Sequence, residues 1–411
     1  MTPEDSQPRI LFVTRYEPFP ATSGDLMYSG QIISLLGDLT GQLTVICAQR
    51  ESAKGGRSSL PGPNGAKISS KLQARANLAR YFLGISPKAA LDFDLPENGR
   101  TLFGFLTKYE PDVVVIDHIG STWALRPFLS YKRIAARAPK LMYVTHNEEL
   151  STRLSIARNA SFPFGLPHFL DAIKIFFRDR AMLRASDLLS CITKSDETLY
   201  ATRADTPAIV VSPVYDRHII ARREITPDTP RKVIVVSNFL WSAKLINLKG
   251  FLTHSAPTLL SHGISVEVVG RMSPKNLIRF RKRFPGVQIH GEVEKVEPFL
   301  ADARIGLLID QAGGGLKLTT LSYVFNKIPV VALSNAVTDK NLRNHCMIAQ
   351  DLDDLARLVI SLIDDFERLN AIKERAFEGL KDFLDTSANR RTLECALNNL
   401  MRNASAPSNG G

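Results

Sequence analysis

P-D-V-V-V-I-D-H, Pro111–His118, decides the fold. Three valines and an isoleucine stand between two aspartates without a polar break. A strand reads this way when helices cover both of its faces, as they do in a parallel sheet. Runs of the same kind recur at Arg9–Thr14, Gln42–Ala48, Lys140–His146 and Asp187–Thr193, with helical segments such as Gly24–Leu36 between them. A second series follows T-P-D-T-P-R (Thr226–Arg231): Lys232–Ser237, Ile264–Gly270, Val287–Gly291, Ala303–Asp310 and Ile328–Leu333. The alternation reads as repeated βαβ units, hence α/β. It predicts two doubly wound, Rossmann-like parallel-sheet domains in tandem, over 1–215 and 216–385. A helix over 386–402 crosses back to the first domain, and the tail over 403–411 is expected to be disordered. Glu51–Ala74, rich in Ser, Gly, Lys and Pro, reads as a mobile loop.

Composition narrows the class. A chain of 411 residues is too long for one ordinary core. No run approaches the roughly 18–20 apolar residues of a membrane span. The polar, acidic start M-T-P-E-D-S-Q-P-R does not read as a signal peptide. Four cysteines in no pairing or zinc-like spacing indicate a reduced, cytoplasmic protein. The net charge of +11 suits an anionic partner. With no zinc finger, RRM signature or basic heptad region, nucleic acid is not the expected one.

Ligands of open α/β sheets bind beyond the carboxyl ends of the strands. After the first strand, Gly24 opens a helix whose free N–H groups can face an anion, though an ordinary βα loop reads the same way. After the strand ending at Thr145 comes H-N-E-E. His146 has the chemistry for proton transfer or for a hydrogen bond to a hydroxyl, while Asn147 fits as a helix cap ahead of Glu148 and Glu149. In the second series, Lys244, Lys249 and Arg271 follow strand tips as candidate phosphate partners. Each also fits a solvated helix or loop face. The strongest pattern is Q-A-G-G-G-L-K-L-T-T-L-S-Y-V-F-N-K-I-P-V-V-A-L, Gln311–Leu333. Gly313, Gly314 and Gly315 let a ligand approach the backbone, Lys317 adds a charge to the first helical turn, and Thr319 and Thr320 add hydroxyls. The spacing fits neither a Walker loop nor a G-x-G-x-x-G fingerprint. A plain turn remains the alternative.

These segments, taken in order, resemble the retaining, family-four GT-B glycosyltransferases (glycosyl transferases group 1), as a divergent member. P-x-P-x-x-x-G with the following helix is similar to that family's first strand and acceptor loop. P-D-V-V-V-I-D-H, V-T-H-N-E, Arg184–Asp196, S-P-V-Y-D and V-V-G-R resemble its later segments. A-G-G-G-L-K-L-T-T-L-S-Y-V-F-N-K-I-P-V-V-A is similar to its G-T-G-x-K-x-K-x-x-E-A-x-A-x-G-x-P-V-V-A. The resemblance implies two domains with an interdomain cleft and a nucleotide-diphosphate sugar as donor. Gly313–Gly315 and Lys317 would hold the diphosphate, with Lys244, Lys249 or Arg271 helping. Gly24, Thr319 and Ser322 join the donor set, and His146 would bond a hydroxyl of the transferred sugar. A glycan or lipid-linked acceptor would bind the first domain around Gly24 and 51–85. No metal and no cofactor are implied. The implied activity is glycosyl transfer in surface polysaccharide or glycolipid assembly.

Two departures stand out. Ser322 occupies the position of a glutamate that typically binds the nucleotide ribose, which leaves room for Tyr323 to help. Lys327 replaces a usual glycine. The alternatives are another nucleotide-sugar enzyme such as an epimerase, or a non-catalytic sugar- or partner-binding protein. The basic segment Lys67–Ile85, placed on a helix, would either lie on an anionic membrane, giving a location at the inner face of the plasma membrane, or pack on the first domain with a solvated basic face. Ile173–Arg184 could serve similarly.

Overall fold

A computed structural model describes residues 7–21, 23–48, 59–61, 65–75, 84–159, 165–217, 219–311 and 316–405. The chain divides into two compact units: Met1–Leu154 with Leu166–Pro213 and Thr386–Gly411, and Ser155–Gly165 with Val214–Asp385.

The first unit is built on an eight-stranded sheet of β1 (Ile10–Tyr16), β2 (Leu43–Ala48), β3 (Ser59–Pro61), β4 (Lys67–Leu72), β5 (Val113–Asp117), β6 (Lys140–Val144), β7 (Leu188–Cys191) and β8 (Ala208–Val210). Its order is β3-β4-β2-β1-β5-β6-β7-β8, parallel except for the β3–β4 pair. Every residue of β5 is buried, the covered state its sequence predicts. The second unit carries β9 (Lys232–Val236), β10 (Ser265–Val269), β11 (Gln288–Gly291), β12 (Ile305–Leu308), β13 (Val330–Leu333) and β14 (Met347–Ala349), all parallel, in the order β11-β10-β9-β12-β13-β14. Both are doubly wound Rossmann-like sheets.

The segment read as a loop and then a basic helix is partly sheet. Lys67–Leu72 is β4, paired with β2 on one side and β3 on the other. The alternation explains it: Ile68 and Leu72 are buried, while Lys67 and Lys71 are exposed. Lys67 and Lys71 therefore sit on a strand, and the helix proposed over 67–85 does not begin there: Lys67–Leu72 is β-strand. Residues 49–58, 62–64 and 76–83 of that region, and the tail over 406–411, lie outside the described residues. The helix Ser387–Ser405 belongs to the first unit, where the Asn389 amide exchanges hydrogen bonds with the Ser212 backbone at 2.7 and 3.1 Å.

Strand order reverses between β1 and β5 in the first unit and between β9 and β12 in the second. In the second unit the β9–β12 ladder is short: Val233 and Ile234 pair with Ile305 and Gly306, after which the strands part. The Tyr323 hydroxyl fills the opening. It accepts from Val236 N at 2.8 Å and lies 3.2 and 3.4 Å from the carbonyls of Ile234 and Leu307. Gly306 makes room for it, since a Cβ there would sit 2.7 Å from the tyrosine ring. Tyr323 is thus a fully buried strut, not a partner for ribose. Tyr323→Phe should strand the Val236 amide and cost about 1–3 kcal/mol. Denaturant unfolding with an unchanged m-value checks this.

Candidate active site

The second unit assembles its charged residues at its reversal point. The helix Ser242–Ser261 starts just beyond β9, and the helix Leu318–Phe325 starts beyond β12. Both present unpaired N–H groups and a positive dipole end. Lys244, in the first turn of one helix, reaches both Asp310 oxygens at 2.8 Å. Asn247, one turn on, donates to Asp310 Oδ1 at 2.9 Å and accepts from Gln311 N at 3.2 Å. Lys317 precedes the other helix, and with Thr319, Lys244 and Asp310 it lines a small cavity between the strand tips. Burial would raise the Asp310 carboxyl, but Lys244 and Lys317 together hold it below its ordinary value. Burial pulls the Lys317 ammonium down to about 8, with Asp310 opposing and Lys244 reinforcing the shift.

Other sequence candidates fall elsewhere. Lys249 is exposed and lies about 140° around the helix from Lys244, so it is not in this cluster. Arg271 pairs with Glu292 at 3.1 Å on the surface, with both side chains largely exposed. Its carbonyl accepts from Phe239 N at 2.8 Å. The neighbouring Gly270 has φ +144, and a Cβ there would lie 1.7 Å from the Ser237 carbonyl oxygen. Gly313, Gly314 and Gly315 lie outside the described residues. Ser322 is half-buried, and its hydroxyl is tied to the phenol of Tyr215, which Asn326 also contacts at 3.2 Å. Lys327 adopts φ +53, the left-handed conformation in which glycine is at home. It is 3% exposed, its ammonium pairs with Glu374, and it lies 3.6 Å from the centroid of the Phe377 ring.

In the first unit the reversal point holds a polar cluster the sequence reading missed. Asp117, at the end of β5, accepts from Thr14 Oγ1 and Ser29 Oγ at 2.7 Å each, and from His146 Nε2 at 2.6 Å. Burial would raise its carboxyl, but His146, Ser29 and Thr14 hold it low. His146 is 4% exposed, and its Nδ1 has no partner among the described residues. In the neutral ring with Nε2–H given to the carboxylate, that Nδ1 accepts. His118 stands edge-on to it, with ring centroids 4.9 Å apart.

His118 follows β5 directly in a strained backbone state, φ +68. Its Nδ1 accepts from Gly120 N at 2.9 Å, so the proton of the neutral ring sits on Nε2, 3.7 Å from Glu149. Burial and the nearby Arg15 charge push the imidazole down to about 4. Glu149, despite its burial, is held at about 2 by His118, Arg153 and Arg15. Beside Gly24, Asp25 already occupies the helix start; against burial, Arg15 at 2.5 Å helps hold it at about 2. Glu148, not Asn147, caps the helix Glu149–Asn159: its carboxylate accepts from Ser151 N at 2.5 Å. His118 was legible as the last residue of a strand run. Its backbone strain and its partners were not.

A histidine whose folded pKa is depressed binds fewer protons than its unfolded form between the two values. Stability should therefore fall with pH from about 6.5 to 4, by about 3 kcal/mol for His118. His118→Asn should flatten that limb of the unfolding free energy measured against pH.

Residues 230–365, the part that carries the lysine pair, match the model of glycosyl transferases group 1. No curated protein sequence matches the chain. Among solved structures, sucrose-phosphate synthase from Thermosynechococcus elongatus aligns with TM-score 0.70 at 13% identity, covering 96% of this chain and 100% of that one. The α,α-trehalose 6-phosphate synthase from Burkholderia multivorans aligns with TM-score 0.65 at 13% identity, covering 98% and 99%. HepE of Anabaena, solved with UDP and glucose, aligns with TM-score 0.62 at 13% identity, covering 95% and 100%. The fold is that of the GT-B glycosyltransferases. Within that fold, residues 230–365 of the second unit carry the signature of glycosyl transferases group 1.

Proposed function

We propose that the chain is a retaining glycosyltransferase that moves a sugar from a nucleotide-diphosphate donor to a glycan or glycolipid acceptor, in surface polysaccharide assembly. The observation that carries this reading is the pair Lys244 and Lys317 at the β9/β12 reversal, between two helix N-termini. A departing diphosphate gathers negative charge, and preorganised cations and N–H dipoles stabilise it in the position a metal ion would otherwise take. Asp310 holds Lys244 in place and offsets one of the two positive charges. When a diphosphate enters, Lys317 gains a stronger anion than Asp310. In the first unit, His118 offers an N–H and His146 an acceptor nitrogen, a pair suited to sugar hydroxyls.

Ser322 weakens the ribose end of such a site. Its hydroxyl is shared with Tyr215, so it replaces a charge-assisted hydrogen bond worth roughly 1.5–3 kcal/mol with a neutral one already in use. That observation favours the second reading, a binding protein without transfer. Calorimetry against a panel of UDP-, GDP- and other nucleotide sugars separates the two. Donor binding, followed by diphosphate release only when acceptor is added, is the expected outcome. Binding without release supports the second reading, and no binding at millimolar donor defeats the donor site itself.

Lys317→Ala should weaken donor binding about ten- to hundredfold, the loss of one charge-assisted hydrogen bond. An unchanged affinity removes Lys317 from the site. The affinity should also break near pH 8: below it Lys317 enters the complex already charged, and above it binding must take up a proton. Donor affinity then falls about tenfold per pH unit until the pKa of the complex is reached.

A further inference from the structure

The helix Gly165–Ala185 turns an apolar face outward. Its inward face is settled by burial and by contacts. Ala172, Ile175, Met182 and Leu183 are buried. Asp171 accepts from Lys88 N at 2.7 Å, and Arg178 donates to Ser86 Oγ at 3.0 Å. Leu166, Phe169, Leu170, Ile173, Phe176 and Phe177 lie on the opposite side, between 39% and 65% exposed. Their spacing of three and four residues puts them in one stripe along about 18 Å of helix. Six large apolar side chains in a single exposed stripe are more than the scattered hydrophobes of an ordinary surface, and such patches mark an interaction face.

The chemistry of the stripe favours lipid. None of the six side chains carries a polar atom. Past Phe177 the same face continues with exposed Arg180 and Arg184, which make no ion pair among the described residues. Apolar residues followed by unpaired cations match the order of acyl chains and phosphates in an anionic leaflet. Next to this helix, Ser86 lines a groove of about 750 Å³ with Leu91, Phe103, Trp123 and Pro127 among its walls and Arg100 and Arg126 exposed at its edge. The groove repeats the pairing of apolar wall and cation. No helix among the described residues is long and apolar enough to cross a membrane, so a helix lying in the interface is the mode available.

We infer that the first unit docks on an anionic lipid surface through the outer face of Gly165–Ala185, independently of any donor chemistry in the second unit. The test is co-sedimentation of the full chain with vesicles of phosphatidylcholine alone and of equal parts phosphatidylcholine and phosphatidylglycerol. The wild type should sediment with the anionic vesicles. The triple variant Phe169→Ser, Phe176→Ser, Phe177→Ser should partition at least about tenfold less, since three buried rings are lost. Arg180→Glu with Arg184→Glu should weaken binding to anionic vesicles while leaving the weak binding to neutral ones. Circular dichroism and melting curves of each variant establish that it is folded. A wild type that stays in the supernatant overturns the inference, as does a folded triple variant that sediments like the wild type. A wild type that dimerises in sedimentation velocity, in a manner the triple variant abolishes, and that ignores vesicles assigns the face to a second copy instead and overturns it too.

Discussion

The second unit's site depends on two strands that stop pairing. β9 and β12 share a ladder only as far as Ile234 and Gly306, and beyond that point a crevice opens. An opening of this kind leaves backbone donors and acceptors without partners, and a buried unpaired amide is costly. One phenol, Tyr323, meets Val236 N and the carbonyls of Ile234 and Leu307 together. The crevice can therefore stay open without water in the core. The helix that delivers Tyr323 inward also begins at Lys317, so the strut and the cation are set by the same element.

The first unit handles its own reversal with side chains from several elements. Thr14, Ser29, Asp117 and His146 close a buried hydrogen-bonded cluster over β1, β5 and β6. The carboxylate at its centre takes three donors, which is how a charge survives at full burial. In both units an aspartate at a strand end or just past it, at the reversal, fixes a basic side chain: Asp310 holds Lys244, and Asp117 holds His146. The two sites differ in what remains available. Around Asp310 a second cation faces the cavity, suited to an anion. Around Asp117 the remaining groups are an orphan imidazole nitrogen and a neutral N–H, suited to hydroxyls.

The core of this architecture was legible because covered parallel strands are written as unbroken β-branched runs. V-V-V-I and V-I-V-V admit little else. The edges were not legible for the same reason. β4 carries lysine and serine at its outward positions and looks like a loop until its alternation is counted, while β3, β8 and β14 are three residues each. Lys317 and Lys244 were found from position after a strand, but position could not tell them from Lys249, because that distinction is angular. Tyr323 was misjudged as a ligand group, since only the coordinates show that Gly306 has vacated the space its ring fills.

Lys327 occupies a backbone position better suited to glycine. The turn after Leu318–Phe325 needs a left-handed residue, and glycine meets that need without strain. Here a lysine accepts the strained φ and buries its ammonium against Glu374 and Phe377. The exchange trades conformational ease for an ion pair and a cation–π contact, and it ties the turn to the helix Phe366–Gly379. Ser322, five residues earlier, is drawn into the same interior through Tyr215 and Asn326. Both departures strengthen the unit's own packing on the side of the helix away from Lys317. Both side chains are thus engaged in the unit's own interior, while Lys244 and Lys317 line the cavity at the strand tips.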